Sequence, residues 1–283
     1  MNSSGSFSVL LSVYMGTKAD YLNQALSSIW DCQVLKPSEI VLVQDGEVNC
    51  SVSEIIAIWQ KKLDTRFKWI KQDANLGLAT SLNHGLEHCS YDVVARMDDD
   101  DIALPNRFKV QYNYISTHPE VGVLGTQIEE RDSSMKRIIG ERYVPENHLQ
   151  IVKFSKYRSP INHPSVMYRK SIICKYGGYP KIFPEDYALW GKLITKGVIF
   201  HNLPNKLLKM RASEAILHRR GFRFFCGELK LLYYLYRLGL LNFWQFLCQV
   251  NIRFIARTSP KCVKMGLYKF SRKWAIMWYK SWD

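Results

Sequence analysis

Short apolar segments alternate with amphipathic segments between residue 7 and about residue 130 of this 283-residue chain. The apolar segments would be hydrophobic on both faces of a strand, and the segments between them repeat apolar residues at helical spacing. Strands buried on both faces and separated by helices predict a mostly parallel sheet that helices cover on both sides. The sequence therefore predicts an α/β, doubly wound fold. The predicted strands are 7–14, 39–43, 67–70 and 91–97, and the predicted helices are 19–30, 53–63 and 76–89.

Three of these strands end in polar residues, at the edge of the sheet where α/β proteins bind ligands. Tyr14 follows the first strand, Asp45 follows the second, and four aspartates follow the fourth. We expect the three loops to converge on one crevice. Asp45 precedes a glycine, and Asp-Gly is also a common turn. Its position at a strand end nevertheless favours a contact with a nucleotide.

The four consecutive carboxylates, Asp98, Asp99, Asp100 and Asp101, concentrate negative charge at one strand end. Like charges this close repel one another unless a cation or solvent compensates. Mg²⁺ and Mn²⁺ prefer oxygen ligands, and Mg²⁺ is commonly shared between one or two carboxylates and a substrate's phosphates. The cluster predicts a site for a metal-bound diphosphate, although a short Asp-x-Asp motif also occurs in solvated turns.

The net charge of +14 belongs almost entirely to the last quarter of the chain. Residues 1–205 contain 23 Lys and Arg against 22 Asp and Glu, whereas residues 206–283 contain 16 basic and 3 acidic residues, a net charge of +13. Aromatic residues are interleaved with these basic residues. This combination is typical of segments that bind an anionic bilayer, but nucleic-acid-binding segments and solvated helix faces share it.

Residues 231–250 are strongly apolar, but Arg237, Asn242, Gln245 and Gln249 interrupt them. A spanning helix needs about 20 predominantly apolar residues, and an arginine near its centre is costly. We predict a surface-lying helix rather than a membrane span. The predicted domains are a catalytic domain over 1–212 and a basic, aromatic, helical region over 213–283 that associates with the membrane.

The cysteines and the start of the chain bear on the cellular compartment. Seven cysteines are dispersed without a Cys-x-x-Cys pair or a metal-type spacing. The start of the chain is polar and uncharged, without the basic region or cleavage site of a secretory signal. An odd, dispersed set of cysteines fits the reducing cytoplasm.

Residues 131–212 follow a mixed pattern, with a predicted helix that begins at Pro184, Glu185 and Asp186 and runs to residue 196. Proline and acidic residues are typical of a helix N-terminus, where proline has suitable backbone angles and carboxylates complement the helix dipole. That structural role alone accounts for both acids. Further strands are predicted near 121–128, 165–168 and 206–210.

Five separated motifs carry a resemblance to a known family, and it covers residues 7–212. The motifs are Ser12-Val13-Tyr14, Val43-Gln44-Asp45-Gly46, Asn75-Leu76-Gly77-Leu78-Ala79 leading to Leu82-Asn83-His84-Gly85, Ala95-Arg96-Met97-Asp98-Asp99-Asp100-Asp101-Ile102, and Pro105-Asn106-Arg107-Phe108. In this order they resemble the family 2 glycosyltransferases, and most closely the bacterial O-antigen and capsule polysaccharide enzymes.

The resemblance implies a GT-A fold, a nucleotide-sugar donor, a divalent metal (Mn²⁺ or Mg²⁺) and inversion at the anomeric carbon. Tyr14 and Asp45 would hold the base and ribose, with Asn75 and Gly77 nearby. The metal pair would be Asp98 and Asp100, Asp98 also contacting the nucleotide sugar. Asp101 would be a further donor-site carboxylate. Asp99, also assigned to the donor, replaces the small residue usual in the middle of the motif, and this leaves open which two carboxylates bind the metal.

Glu185 and Asp186 resemble the family's Glu-Asp pair, in which the second acid is the catalytic base. An acceptor hydroxyl must lose its proton as it attacks, and a positioned carboxylate can accept it. The segment Asn162-His163-Pro164-Ser165 resembles one in the O-antigen enzymes, where His163 would line the acceptor or phosphate side. An isolated histidine is more often structural.

Together these observations predict an inverting, metal-dependent glycosyltransferase bound peripherally to the cytoplasmic face of a bacterial inner membrane, whose anionic surface attracts the basic region. The expected donor is UDP-galactose, with UDP-glucose or UDP-GlcNAc as alternatives. The expected acceptor is a sugar on a polyprenyl diphosphate, such as GlcNAc-diphospho-undecaprenol. A nucleic-acid-binding protein would leave the carboxylates without a role, so we expect no nucleic-acid partner. A nucleotidyltransferase lacks support because no Gly-rich phosphate loop with a following lysine is present.

Overall fold

A computed structural model of the chain describes residues 6–212 and 222–258. Within these ranges, helices cover both faces of one nine-stranded sheet. The strands are β1 Phe7–Val13, β2 Glu39–Asp45, β3 Phe67–Gln72, β4 Val93–Arg96, β5 Ile102–Ala103, β6 Val121–Arg131, β7 Ile138–Arg142, β8 Met167–Arg169 and β9 Ile199–Arg211. The helices are α1 Ala19–Ile29, α2 Cys50–Leu63, α3 Leu78–His88, α4 Arg107–Thr117, α5 His148–Phe154, α6 Lys170–Lys175, α7 Glu185–Thr195, α8 Phe222–Arg237 and α9 Phe243–Thr258.

The strand order is β3-β2-β1-β4-β8-β6-β9-β5, and β7 pairs with β6. Strands β1 to β4 are mutually parallel, as predicted. Beyond β4 the sheet is mixed, because β8 runs antiparallel to β4 and β6, while β9 is parallel to β6. The second half of the sheet therefore brings residues from distant parts of the chain next to the end of β4.

The surroundings of β1 show why apolar residues occur on both of its faces. Phe7, Val9 and Leu11 pack into a core with α1, α2 and α4. The intervening Leu10 packs into a second core with α3, α7 and α8. Successive side chains of a strand point to opposite faces, so a strand covered on both sides has no polar face.

The C-terminal segment departs from the prediction of one surface-lying helix over 231–250. It forms parts of α8 and α9, separated by a turn in which Gly239 adopts a φ of +78° that favours glycine. Leu231, Leu232 and Leu235 of α8 are buried in the core that contains α7. Helical spacing alone could not show that this face packs against α7, which lies about forty residues earlier in the chain. No helix among the described residues is both long and apolar enough to cross a bilayer.

Helices α8 and α9 are joined by a buried ionic cluster. Glu228 of α8 accepts hydrogen bonds from Arg253 at 2.5 Å and from Arg257 at 2.8 and 2.9 Å. Burial alone would raise the pKa of Glu228, but the two guanidinium groups hold it below its ordinary value. Two of the basic residues of this region therefore neutralise an internal carboxylate instead of facing solvent.

Candidate active site

The loop between β1 and α1 contacts the loop after β4 through Thr17 and the loop after β2 through Met15. The Tyr14 N–H donates to Thr17 Oγ1 at 3.0 Å, and the Thr17 hydroxyl donates to the Asp99 carboxylate. The Asn49 side-chain amide, which follows β2, donates to the Met15 carbonyl at 3.3 Å. Tyr14 itself stays about half exposed. The loops after β1, β2 and β4 thus meet at one edge of the sheet, as the strand order predicts.

Asp45 is buried at the end of β2 and holds the loop that precedes α3. Its Oδ1 accepts from the Leu76 N–H at 2.7 Å and its Oδ2 from the Gly77 N–H at 3.0 Å, while the Asn75 amide donates to the Asp45 carbonyl at 3.3 Å. A Cβ on Gly46 would lie 2.6 Å from the Asn75 nitrogen. The structure therefore brings Asp45, Asn75 and Gly77 together, and the Asp45 side chain holds this distant loop.

Two of the four aspartates are held by hydrogen bonds to distant elements. Asp99 accepts from Thr17 of the first loop. Asp101 is 1% exposed, and its Oδ1 accepts from the Arg211 N–H at the end of β9 at 2.8 Å. The Arg211 side chain donates to the Asp100 carbonyl at 2.9 Å. Hydrogen bonds therefore hold the aspartate turn to the loop after β1 on one side and to the end of β9 on the other.

Burial makes this turn reluctant to carry its full negative charge. Burial, together with repulsion from Asp100 and Asp98, raises the pKa of Asp99 to about 7, while the Thr17 hydrogen bond acts in the opposite direction. Burial, then repulsion from Asp98, raises the pKa of Asp100 to about 6. The same two causes raise the pKa of Asp101. A cation at this turn would relieve the repulsion.

The side chains of Asp98 and Asp100 fit a divalent cation. Both are partly exposed, and neither is held by the hydrogen bonds that occupy Asp99 and Asp101. Within residues 6–212 and 222–258, no three His, Cys, Asp or Glu side chains form a metal cage. Mg²⁺ ions commonly take one or two protein carboxylates and complete their shell with substrate phosphates and water. Two partly exposed carboxylates match that kind of site.

Arg96, the last residue of β4, lies beneath this turn and is 2% exposed. Its guanidinium forms an ion pair with Asp98. Burial would lower the pKa of Arg96, but the Asp98 carboxylate raises it above its ordinary value. Within the described residues, Nε and Nη1 of Arg96 have no hydrogen-bond partner. The cation is stabilised by nearby carboxylates more than by hydrogen bonds.

The predicted acid pair begins α7, after Pro184 at the N-cap position. Burial and repulsion from Asp186 raise the pKa of Glu185 to about 7. Burial also raises the pKa of Asp186, while the Tyr187 N–H, Arg142, Arg96 and Ser159 lower it. The Ser159 hydroxyl lies 3.3 Å from Asp186 Oδ2.

Arg96 acts electrostatically on both acidic groups, because it also lowers the pKa values of Asp100, Glu185 and Asp186. Asp98 in turn raises the pKa of Glu185. The aspartate turn and the start of α7 are therefore close enough to share one electrostatic environment. The aspartate turn and the acid pair of α7 therefore share the influence of one buried cation, Arg96.

His163 lies behind these acids in the protein interior. It is 9% exposed, its Nε2 is 3.1 Å from the Tyr179 hydroxyl, and its ring packs edge-on against Trp190. Burial, with Arg96 nearby, holds the pKa of His163 well below its ordinary value. These contacts give His163 a structural role as a neutral side chain, and its predicted role on the acceptor side stays a prediction.

Sequence reasoning missed three residues that shape the site: Thr17, Arg96 and Arg211. Arg96 stood within a recognised motif, and its position two residues before Asp98 places both side chains at one strand end. An arginine between apolar neighbours in a strand predicted to be buried was the sequence feature that pointed to an internal cation. Arg211 carried none, because its contact with Asp101 joins residues 110 positions apart.

Comparison with known proteins identifies the family. The model of the family described as "Glycosyl transferase family 2" matches residues 8–176. An uncharacterized glycosyltransferase of Haemophilus influenzae is 38% identical, over 94% of this chain and 99% of its own length. The amylovoran biosynthesis glycosyltransferase AmsE of Erwinia amylovora is 37% identical over 94% and 99%. The UDP-Gal:alpha-D-GlcNAc-diphosphoundecaprenol beta-1,3-galactosyltransferase of Escherichia coli is 33% identical over 93% and 95%.

Solved structures share the fold. The mannosyltransferase PcManGT from Pyrobaculum calidifontis, in complex with GDP-Man and Mn²⁺, superposes with a TM-score of 0.64 at 15% identity, covering 97% of this chain and 83% of its own. S. aureus TarS 1-349 in complex with UDP-GlcNAc gives 0.64 at 17% identity, covering 89% and 73%. At this identity the likeness concerns the fold alone, and it confirms the predicted GT-A architecture.

The raised pKa of Glu185 predicts a measurable effect on stability. Glu185 keeps its proton up to about pH 7 in the folded protein, whereas in the unfolded chain it loses it near its ordinary value of 4.5. The folded state then binds more protons, so this residue's contribution to stability falls as pH rises from about 4.5 to about 7. Glu185→Gln should be more stable than wild type above pH 7, by up to about 3 kcal/mol.

Urea unfolding of both proteins between about pH 3.5 and pH 8 measures this difference. The two stabilities should converge below about pH 4, where the glutamate is mostly protonated in both the folded and the unfolded state. Glu87→Gln on the exposed face of α3 provides the control, and it should shift stability little at any pH. A Glu185→Gln protein that is less stable than wild type at pH 8 would contradict the buried, unfavourable environment described here.

Proposed function

The chain belongs to glycosyltransferase family 2, and from that premise we propose that it transfers galactose from UDP-galactose to a sugar on a lipid diphosphate during synthesis of a bacterial O-antigen or related polysaccharide. The relative from E. coli, aligned over nearly the whole of both chains, uses that donor and acts on GlcNAc-diphosphoundecaprenol by its name. UDP-glucose and UDP-GlcNAc are the alternative donors.

One observation supports the proposal: the aspartate turn and the acid pair that begins α7 share one electrostatic environment, in which Arg96 acts on both groups. The turn would form the donor side and the start of α7 the acceptor side. Transfer between two substrates needs such an arrangement, because the attacking hydroxyl and the leaving diphosphate must lie on opposite sides of the reacting carbon.

On the donor side, Tyr14, Asp45, Asn75 and Gly77 would contact the nucleotide. The exposed ring of Tyr14 offers a surface for stacking a base. Both Asp45 oxygens already accept one backbone hydrogen bond, but a carboxylate oxygen can accept a second. Asp45 would therefore hold its loop and the nucleotide at once.

Asp98 and Asp100 would hold Mn²⁺ or Mg²⁺. When bound, the ion neutralises the charge that develops on the leaving diphosphate. Asp99 and Asp101 would shape the donor site through their bonds to Thr17 and Arg211 and add to its negative potential.

On the acceptor side, Asp186 would act as the base. The acceptor oxygen bonds to the anomeric carbon as the bond from that carbon to the diphosphate oxygen breaks, and Asp186 takes the hydroxyl proton. Asp186 suits this role better than Glu185, because the Tyr187 N–H, Arg142, Arg96 and Ser159 all stabilise its ionised form. A single displacement of this kind inverts the anomeric configuration.

The basic region would bring the enzyme to a lipid-linked acceptor at the cytoplasmic face of the inner membrane. Residues 206–283 have a net charge of +13, and each basic residue near an anionic bilayer contributes about 1 kcal/mol to binding. Residues 213–221 and 259–283 lie outside the described residues. The second of these segments contains six basic residues and one acidic residue. The domain division at residue 212 belongs to the same proposal.

The donor and linkage are tested by incubating the purified protein with a GlcNAc-diphosphate-lipid, Mn²⁺ and each of UDP-galactose, UDP-glucose and UDP-GlcNAc. We expect the highest kcat/KM with UDP-galactose and a β-linked product by NMR, because the donor is α-linked and the displacement inverts. A higher kcat/KM with another sugar would reassign the donor, and an α-linked product would exclude the single displacement.

Replacing Asp186 by asparagine separates its two roles. If Asp186 is the base, the amide cannot accept the proton, and turnover should fall by roughly 10² to 10⁴ with UDP affinity unchanged. If it serves only the helix dipole, the change should cost at most about 1 kcal/mol of stability and leave the rate nearly intact. Glu185→Gln is the neighbouring control and should lose less activity. A wild-type rate for Asp186→Asn at saturating acceptor would place the base elsewhere.

The metal assignment is tested by Mn²⁺ binding, measured by titration calorimetry in the presence of UDP. Asp98→Asn and Asp100→Asn should each bind Mn²⁺ at least about tenfold more weakly, because carboxylate charge sets the affinity of oxygen-ligand sites. Glu87→Gln should bind as wild type. Wild-type affinity in both aspartate variants, or full turnover in EDTA, would show that the turn does not hold the metal.

A further inference from the structure

Helix α9 presents a continuous apolar stripe to solvent. Trp244, Cys248, Ile252 and Ile255 follow one another at intervals of four, four and three residues, which places them on one face of a helix. Trp244, Ile252 and Ile255 are 72%, 60% and 55% exposed with all described residues in place, and Cys248 is exposed too. Single exposed apolar residues are common, but a contiguous exposed stripe marks an interaction site.

The stripe is held in a defined place on the protein. The opposite side of α9 carries Arg253 and Arg257, which bind Glu228 of α8, and the ring of Phe254 contacts that of Phe225 at 5.5 Å between centroids. Arg253 also lies 6.0 Å from the ring centroid of Tyr187, the residue after Asp186. The stripe is therefore connected through α9 to the start of α7.

Helix α8 also has exposed polar and aromatic groups. Lys230, Tyr233 and Arg237 are exposed, and Arg237 donates to the Tyr233 hydroxyl at 3.2 Å. Exposed tyrosine and basic residues are typical of helices that lie at a bilayer surface.

The charge of the chain around α8 and α9 selects the partner. Residues 229–282 contain ten Lys and Arg and no Asp or Glu. A second copy of the chain would bring the same sign of charge to the contact. An anionic bilayer brings the opposite sign, and it also accepts apolar side chains at the boundary between headgroups and acyl chains.

We propose that the α9 stripe is a bilayer-contact surface, in which Trp244, Ile252 and Ile255 enter the interface of an anionic membrane. The surface would hold the start of α7 beside the membrane, where a lipid-linked acceptor presents its sugar. The placement of α7 beside a lipid-linked acceptor rests on the function proposed above, whereas membrane contact by α9 does not. The surface acts together with the basic region and differs from it, because it requires apolar side chains at defined positions.

The test is co-flotation of the full chain with vesicles of phosphatidylethanolamine and phosphatidylglycerol. A Trp244→Ser, Ile252→Ser, Ile255→Ser variant removes the stripe and leaves every basic residue in place. We expect its vesicle partition coefficient to fall at least about tenfold, since interfacial binding scales with buried apolar area. The matched control is Leu149→Ser, Ile58→Ser, Val34→Ser, whose wild-type side chains are 73%, 60% and 59% exposed elsewhere on the surface. It should partition as wild type.

Three outcomes would overturn the proposal. One is unchanged partitioning of the stripe variant, which would leave binding to charge alone. Another is an equal loss in the control variant. The third is a stripe variant that converts a dimer to a monomer by light scattering in the absence of vesicles while vesicle binding persists, which would make α9 an interface between copies. Matching melting temperatures for the three proteins exclude unfolding as the cause.

Activity separates this inference from the proposed function. With a water-soluble, short-chain acceptor, wild type and the stripe variant should have equal kcat/KM, whereas with the acceptor embedded in vesicles the variant should be several-fold slower. If neither protein transfers a sugar, the proposed function fails while the flotation result still decides the role of α9. Equal rates on the embedded acceptor, despite weaker flotation, would separate α9 from acceptor access and overturn the placement of α7 beside a lipid-linked acceptor.

Discussion

The buried guanidinium of Arg96 is the charge on which both halves of the candidate site depend. Moving an unpaired charge out of water costs several kcal/mol, and two nitrogens of Arg96 have no hydrogen-bond partner among the described residues. The cation persists because Asp98 pairs with it and further carboxylates surround it. Those carboxylates depend on Arg96 in turn, because without it their pKa values would rise further. The aspartate turn and the acid pair of α7 therefore share one counter-ion.

Arg107 supports this arrangement from below. It is fully buried and donates to the Arg96 carbonyl at 2.6 Å and to Gln111 at 3.0 Å, and Gln111 donates to the Ser165 carbonyl at 2.8 Å. Burial, and then repulsion from Arg96, lowers the pKa of Arg107 to about 9. The pKa falls because the protonated guanidinium of Arg107 loses its hydration and also lies near a second cation. The motif that contains Arg107 thus holds the end of β4, directly before the aspartate turn.

The fold was predictable from sequence where its interactions are local. Continuous apolar strands such as β1 and helical spacing such as that of α3 depend on covered faces, and a parallel sheet then places the loops after β1, β2 and β4 at one edge. The sequence could not show that Arg211 reaches Asp101 or that α8 packs on α7, because those contacts join distant segments. It could place Glu185 and Asp186 at a helix N-terminus, but the raised pKa of Glu185 needs the burial that only the assembled fold supplies.

The same contrast separates the two sides of the site. The residues proposed to bind the donor lie in loops that follow the neighbouring parallel strands β2, β1 and β4. Each of these loops corresponds to a short motif in the sequence. Three separate parts of the chain surround Asp186. They are the end of β4 with Arg96, the end of β7 with Arg142, and the segment between α5 and β8 with Ser159. Of these three residues, only Arg96 stands in one of the motifs. Arg142 and Ser159 lie outside them, so the short motifs indicate the aspartate turn but not most of the groups that stabilise ionised Asp186. The partner of the proposed base is therefore better sought in contacts around α7 than in the motifs.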